Sequence, residues 1–259
     1  TSPFAFTGNK FEFRMVGSAQ SIAGPNVALN TIAAEALDEI ATRLEKARDI
    51  NAEAASIIRE IYTKHGRVIF NGNNYSAEWA KEAARRGLPN VTNTVDALKA
   101  FVTAKAIRLF EKYGVLSHKE LESRYEIYVE TYAKQINIEA LAAIDMVKKQ
   151  FLPAATEYAT FLAESIASFK AAGVAAPVQT DLLKKLGALL ASAYKALEKL
   201  EDATARAQKL EAVVGKAEAY RDKVIPAMQA LRADIDAMER IVPRDTWPVP
   251  TYADLLFKL

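Results

Sequence analysis

The chain has 259 residues, with 34 basic and 32 acidic side chains and a formal net charge of +2. That balance excludes the basic footprint of a nucleic-acid-binding domain. The absence of cysteine excludes disulfides and thiolate metal sites and fits a reducing compartment such as the cytoplasm, and no apolar run approaches the roughly 20 residues that span a bilayer.

Residues 4–16 carry the one convincing strand pattern. Phe11, Phe13 and Met15 alternate with Lys10, Glu12 and Arg14, a period of two. The chain opens Thr-Ser-Pro-Phe-Ala-Phe, and a strand so close to the first residue is expected to belong to a sheet supplied by a longer polypeptide. Residues 17–25 read as a Gly/Ser/Gln/Pro loop. Val27, Ile32, Ala36, Ile40 and Leu44 then recur at helical spacing over 26–48, with Pro25 suited to the first turn. A second helix is predicted from Ala52 to Lys64, closed by Gly66.

"GRVIFNGNNYS", residues 66–76, reads as a short apolar run and an Asn/Gly turn. A short helix is predicted over 77–86 with Gly87 as its stop, then one over 95–113, capped by Thr94 and closed by Gly114. Ser117-His118-Lys119-Glu120 matches a capping box. Leu121, Tyr125, Tyr128 and Tyr132 follow as a packing stripe, and the helical period continues to Ala172. Pro153 is expected to kink or split this helix, because it removes one ladder donor. From Asp181 onward, Leu183, Leu186, Leu190, Ala193, Leu197, Leu200 and Ala207 form a seam whose one polar member is Thr204. A third stretch, 216–241, is interrupted at Pro226. Long helices joined by short turns predict an antiparallel bundle. In the tail, residues 243–259, Thr251 and Asp254 can cap a short final turn, while Trp247, Tyr252, Leu255, Leu256 and Phe257 are too apolar for a free end.

A strand places Lys10, Glu12 and Arg14 on one face. That face can be an exposed strand with cross-strand ion pairs, worth about 0.2–1 kcal/mol each. It can also be one edge of a site in which a carboxylate holds a hard divalent cation and flanking cations hold phosphate or carboxylate oxygens. His65 and His118, the two histidines, fall at a helix end and in a cap, with no other ligand at metal spacing, and read as structural. Asn71-Gly72-Asn73-Asn74 reads as a turn.

The stretch "FTGNKFEFRMVGSAQSIAGPN" resembles the last catalytic strand of glutamine synthetases, with its basic–x–Glu–x–Arg signature, a loop and an apolar helix. "TSPFAFTGNKFEFRM", "GSAQSIAGPN", "KHGRVIFNGNNYS" and "PRDTWPVPTYADLLF" resemble the type III class, so the likeness runs from end to end.

The resemblance implies an ATP-dependent ligase that joins ammonia to glutamate through γ-glutamyl phosphate. It implies Mg²⁺ or Mn²⁺ held by Glu12, the substrate or its phosphoryl group held by Arg14, and nucleotide phosphates near Lys10. There a lysine keeps the charge of the usual arginine but loses its bidentate fork. It further implies an N-terminal β-grasp-like domain and most of a catalytic sheet upstream, and a ring-forming homo-oligomer in the cytoplasm.

The resulting expectation is a mostly α chain. A catalytic-domain strand and helix of the glutamine synthetase α+β fold (1–50) precede a large antiparallel helical region (51–242) for oligomerisation or regulation. The tail (243–259) packs back on the catalytic domain. Expected partners are glutamate, ammonia and the rest of the same polypeptide, with no nucleic acid and no membrane. Without the resemblance, the residues also allow a non-catalytic helical assembly module.

Overall fold

A computed structural model describes the backbone of residues 4–7 and 10–13, and residues 21–70 and 76–256. Two short strands, β1 (Phe4–Thr7) and β2 (Lys10–Phe13), precede eleven α-helices among the described residues. The chain divides into two compact units, 1–125 and 126–259.

The first unit holds β1, β2 and helices α1 (Ala23–Glu45), α2 (Ile50–His65), α3 (Ala77–Arg85), α4 (Thr94–Leu98) and α5 (Ala104–Lys112). The strands pair antiparallel, so the one strand read over 4–16 is in fact two. Short polar caps set the helix starts. The Asp49 carboxylate accepts the Ala52 amide, the Ser76 hydroxyl accepts that of Trp79, and the Asn93 side chain accepts that of Asp96.

The single helix expected over 95–113 is broken. After α4 the chain tightens into a 3₁₀ turn, Lys99–Val102, and Thr103 caps α5 by accepting the Ala106 amide. Gly114 ends α5 at φ 61°, where Val115 N–H donates to Phe110 O and Gly114 N–H to Glu111 O. Only a residue without a Cβ takes that conformation freely. Gly66 closes α2 as expected, but in a right-handed conformation at φ −53°, from which the chain tightens into a 3₁₀ turn.

α6 (His118–Met146) begins at the capping box read from the sequence, and the boundary between the units falls within it. The Glu120 carboxylate accepts both the Ser117 amide and hydroxyl at 2.8 Å, while Glu120 N–H donates to the Ser117 oxygen. The second unit continues with α7 (Leu152–Ala171), α8 (Pro177–Gln208), α9 (Val213–Ala219), α10 (Ile225–Glu239) and α11 (Tyr252–Leu256).

α8 packs along both α7 and α10. Its seam is dry: Leu186, Ala193, Leu197, Leu200, Thr204 and Ala207 are all buried. Thr204, the polar member, donates its hydroxyl to Leu200 O at 2.7 Å and so leaves no unpaired group in the seam. The tyrosine stripe is displaced by one position from the core. Tyr128 is exposed and Tyr125 and Tyr132 are half-buried, while Val129, Ala133 and Ala140 take the buried positions of α6. Small side chains allow the close approach that three phenol rings would prevent.

Neither Pro153 nor Pro226 breaks its helix. Each is preceded by one turn of π-helix, Val147–Phe151 and Tyr220–Val224, and α7 and α10 follow without interruption. Proline lacks the N–H for the ladder, and its ring strikes the carbonyl four residues earlier. A widened turn moves that carbonyl away and lets the helical hydrogen bonding run on. Both widened turns are buried through Val147, Phe151, Tyr220 and Val224.

A polar hub ties α6 to this region. Asn137 Oδ1 accepts from the Tyr220 hydroxyl and from Gln208 Nε2, both at 2.8 Å. The tail docks within its own unit. Trp247 lies against Phe151, with ring centroids 5.1 Å apart. Arg244 pairs with Asp254 at 2.6 Å, and Tyr252 N–H donates to Glu239 Oε1. The Thr251–Asp254 cap forms as expected from the sequence. No described helix is long and apolar enough to cross a membrane.

Asn137→Ala leaves the nearly buried Tyr220 hydroxyl without its acceptor and is expected to cost about 1–3 kcal/mol. Adding Tyr220→Phe, which removes the orphaned group, is expected to recover part of that loss. Urea unfolding of the two variants measures both effects.

Candidate functional site

The candidate site residues lie at the start of the chain. β2 contains Lys10 and Glu12, alternating with Phe11 and Phe13. The register pairs Phe4 with Phe13, Ala5 with Glu12, Phe6 with Phe11 and Thr7 with Lys10. Directly paired residues share a face in an antiparallel ladder. Ala5, Thr7, Lys10 and Glu12 therefore occupy positions of one face, and Phe4, Phe6, Phe11 and Phe13 those of the other. Arg14 lies outside the described residues, so Lys10 and Glu12 are the two site candidates that the strand brings together. The second strand escaped the sequence reading, although Gly8-Asn9 between two apolar runs is a hairpin signal.

A hard divalent cation takes about six or more oxygen ligands from carboxylates, carbonyls, phosphates and water. Among the described residues, no group of three or more His, Asp or Glu could hold such an ion. His118 opens α6, where its backbone N–H donates to Glu111 and its ring lies 3.1 Å from Glu122. The Asn71–Asn74 turn lies outside the described residues.

Two side-chain clusters in the first unit were not legible in the sequence. In one, Phe70 stacks on Trp79 with centroids 4.0 Å apart, and the Arg86 guanidinium lies 5.9 and 5.6 Å from the two rings. Arg86 also donates to Ile69 O at 2.8 Å and pairs with Glu82. Hydrogen bonds from Arg85 and Arg86 hold the Glu82 carboxyl down to about 2.

In the other cluster, α1 and the end of α5 meet. Tyr113 donates to Glu35 at 2.5 Å and contacts Asp38 at 2.9 Å. Lys112 Nζ lies 2.6 Å from Glu35, 2.9 Å from Asp38 and 4.9 Å from the Tyr113 ring centre. Hydrogen bonds from Lys112 and then Tyr113 lower both carboxyls, and the Lys112 ammonium is raised in turn, chiefly by Glu35. Loss of solvation and the bond to Glu35 push the Tyr113 phenol up to about 12. The lysine and tyrosine fill the space between the two carboxylates, so this cluster is an ion-pair network. Beside it lies an open groove of about 430 Å³ lined by Asn26, Asn30, Thr31 and Tyr113, among others.

Residues 53–170 match the family model described as the glutamine synthetase C-terminal domain. The whole chain is similar to the type-3 glutamine synthetase of Dictyostelium discoideum, 36% identical over 99% of this chain and 36% of that protein. Glutamine synthetases of Butyrivibrio fibrisolvens and Bacteroides fragilis (strain YCH46) are 34% and 30% identical, over 100% and 99% of this chain and 37% of each relative. The chain thus spans little more than a third of the length of the curated relatives it matches. It belongs with the glutamine synthetases, whose C-terminal domain it carries over residues 53–170.

Proposed function

We propose that the chain is the C-terminal part of a type III glutamine synthetase, an ATP-dependent ligase that joins ammonia to glutamate through γ-glutamyl phosphate in the cytoplasm. The observation that carries this reading is similarity to three glutamine synthetases over 99–100% of the chain, strand residues included. Residues 1–50 then belong to the catalytic domain, and 51–242 to a helical region particular to the class. The tail's exposed Leu255 and Leu256 remain available to pack on the catalytic part.

In this reading Glu12 is one carboxylate ligand of Mg²⁺ or Mn²⁺, which when bound neutralises charge on the transferring phosphoryl group. Arg14 holds the glutamate carboxylate or the phosphoryl oxygens through a planar, permanently charged fork. Lys10 places a point charge near the nucleotide phosphates. The alternation of β2 supports the reading, because Lys10 and Glu12 share a strand face two residues apart.

The helical region is proposed as an assembly surface of a homo-oligomeric ring. Exposed apolar side chains at Ile138, Phe161, Val178 and Tyr194 on three helices of the second unit support that role.

Glu12→Ala in the full-length protein is expected to abolish metal-dependent glutamine formation while leaving helical content unchanged. Wild-type-like turnover would sink the site assignment. Purified residues 1–259 are expected to form no glutamine with ATP and Mg²⁺, because one carboxylate does not make the metal site. ATP-dependent synthesis by that fragment contradicts the reading. Mass photometry of a full-length version lacking residues 117–241 is expected to show loss of the assembly, and an intact assembly contradicts the scaffold role.

A further inference from the structure

In sequence, helix α1 lies between the site strand and the C-terminal domain, and its own burial does not hold it in place. Of its 23 residues Thr31 alone is buried. The face bearing Leu29, Ala33, Ala36 and Ile40 is covered only in part: Leu29 and Ile40 are half-buried, Ala33 and Ala36 are exposed, and Ile32 and Leu37 beside them are 54% and 65% exposed. Two polar ties hold α1 to its neighbours, one from Glu35 and Asp38 on the side of buried Thr31 and one from Arg43, which follows Ala36 by two turns on the apolar side. In the first, Glu35 and Asp38, one turn apart on α1, grip Lys112 and Tyr113 at the end of α5. In the second, Arg43 pairs with Glu53 at 2.7 Å and Glu60 at 2.6 Å on α2.

Both ties cross the same boundary. Glu35, Asp38 and Arg43 precede the C-terminal domain, whereas Glu53, Glu60, Lys112 and Tyr113 lie within residues 53–170. Two fixed points roughly 8–12 Å apart along a rigid helix set the direction of its axis. The N-terminus of α1 follows β2 by nine residues in sequence.

We propose that the Glu35–Asp38/Lys112–Tyr113 cluster is a positioning joint. Through it the helical domain fixes α1, and through α1 the strand that bears Lys10 and Glu12. The proposal rests on the ligase reading above. The joint gives the helical domain a part in the chemistry of the site, beyond assembly: it holds one metal ligand in place from outside the catalytic part. Ion pairing lowers both carboxyls, so their contribution is fully present above the ordinary carboxylate range and is lost only as pH falls through the lowered values. At neutral pH the joint is closed, and mutation is the way to open it.

The test uses the full-length protein with Lys112→Met and Tyr113→Phe combined. The double variant removes the cation and the hydroxyl and keeps much of the apolar volume. The half-saturating Mg²⁺ concentration for glutamine formation is expected to rise roughly three- to tenfold. Melting temperature and assembly mass should stay near wild type, and Lys112→Arg, which keeps the charge, should stay within about twofold of wild type. Amide exchange at residues 10–13 is expected to quicken in the double variant.

An unchanged Mg²⁺ requirement in a folded, assembled double variant overturns the proposal. If that variant does not fold, Tyr113→Phe alone is read in the same way, with a smaller expected rise. Wild-type protein without ligase activity would sink the functional reading instead. Exchange at residues 10–13 then still decides the joint: quickening supports it and no change overturns it.

Discussion

The first unit depends on how α1 is held. A helix of 23 residues normally gains its place by burying an apolar stripe, and α1 buries one threonine. What fixes it instead is a pair of charge-assisted contacts to α5 and α2, reached across intervals of 77 and 17 residues for Lys112–Glu35 and Arg43–Glu60. Exposed ion pairs taken singly contribute little to stability. Their value here is geometric: Glu35 and Asp38 accept from donors at the end of α5, and Arg43 donates to two carboxylates carried by α2. Ile32, Ala33, Ala36 and Leu37 of α1 stay exposed beside those ties.

The second unit is built in the opposite way. α8 supplies a nearly continuous buried seam, and α7 and α10 close on it. Two prolines that threaten the partner helices are absorbed by single π turns, each buried and each just before its proline. Asn137 adds specificity at modest energetic cost, since its carbonyl oxygen satisfies both Tyr220 and Gln208. Trp247 against Phe151 fastens the tail beside one of the widened turns.

What was legible in the sequence follows from the range of each interaction. The Ser117/Glu120 box, the Thr251/Asp254 cap, the Gly114 stop and the α8 seam are set by neighbours within one or two turns, and they form as read. The break at Thr103 was missed because a hydroxyl cap inside an apolar-periodic stretch looks like a mid-helix threonine. The hairpin was missed because the period-two pattern runs across both strands and hid the Gly8-Asn9 signal. The π turns could not be read, since periodicity of apolar residues does not reveal which turn widens to accommodate a proline. The joint at Glu35, Asp38, Lys112 and Tyr113 joins residues some 75 positions apart, and no local pattern encodes that pairing. Of the site candidates, the backbone pairing of β2 gives Lys10 and Glu12 their common face, and the chemistry of that face comes from likeness to glutamine synthetases.

The central claim is that Glu12 is a metal ligand on a strand whose remaining site lies in the rest of a ligase. Electron paramagnetic resonance of Mn²⁺ titrated into the full-length protein and its Glu12→Gln variant tests this without relying on turnover. The expected result is a bound Mn²⁺ population in the wild type that is weakened at least about tenfold in the variant, with unchanged circular dichroism. Equal Mn²⁺ binding by the two proteins would contradict it.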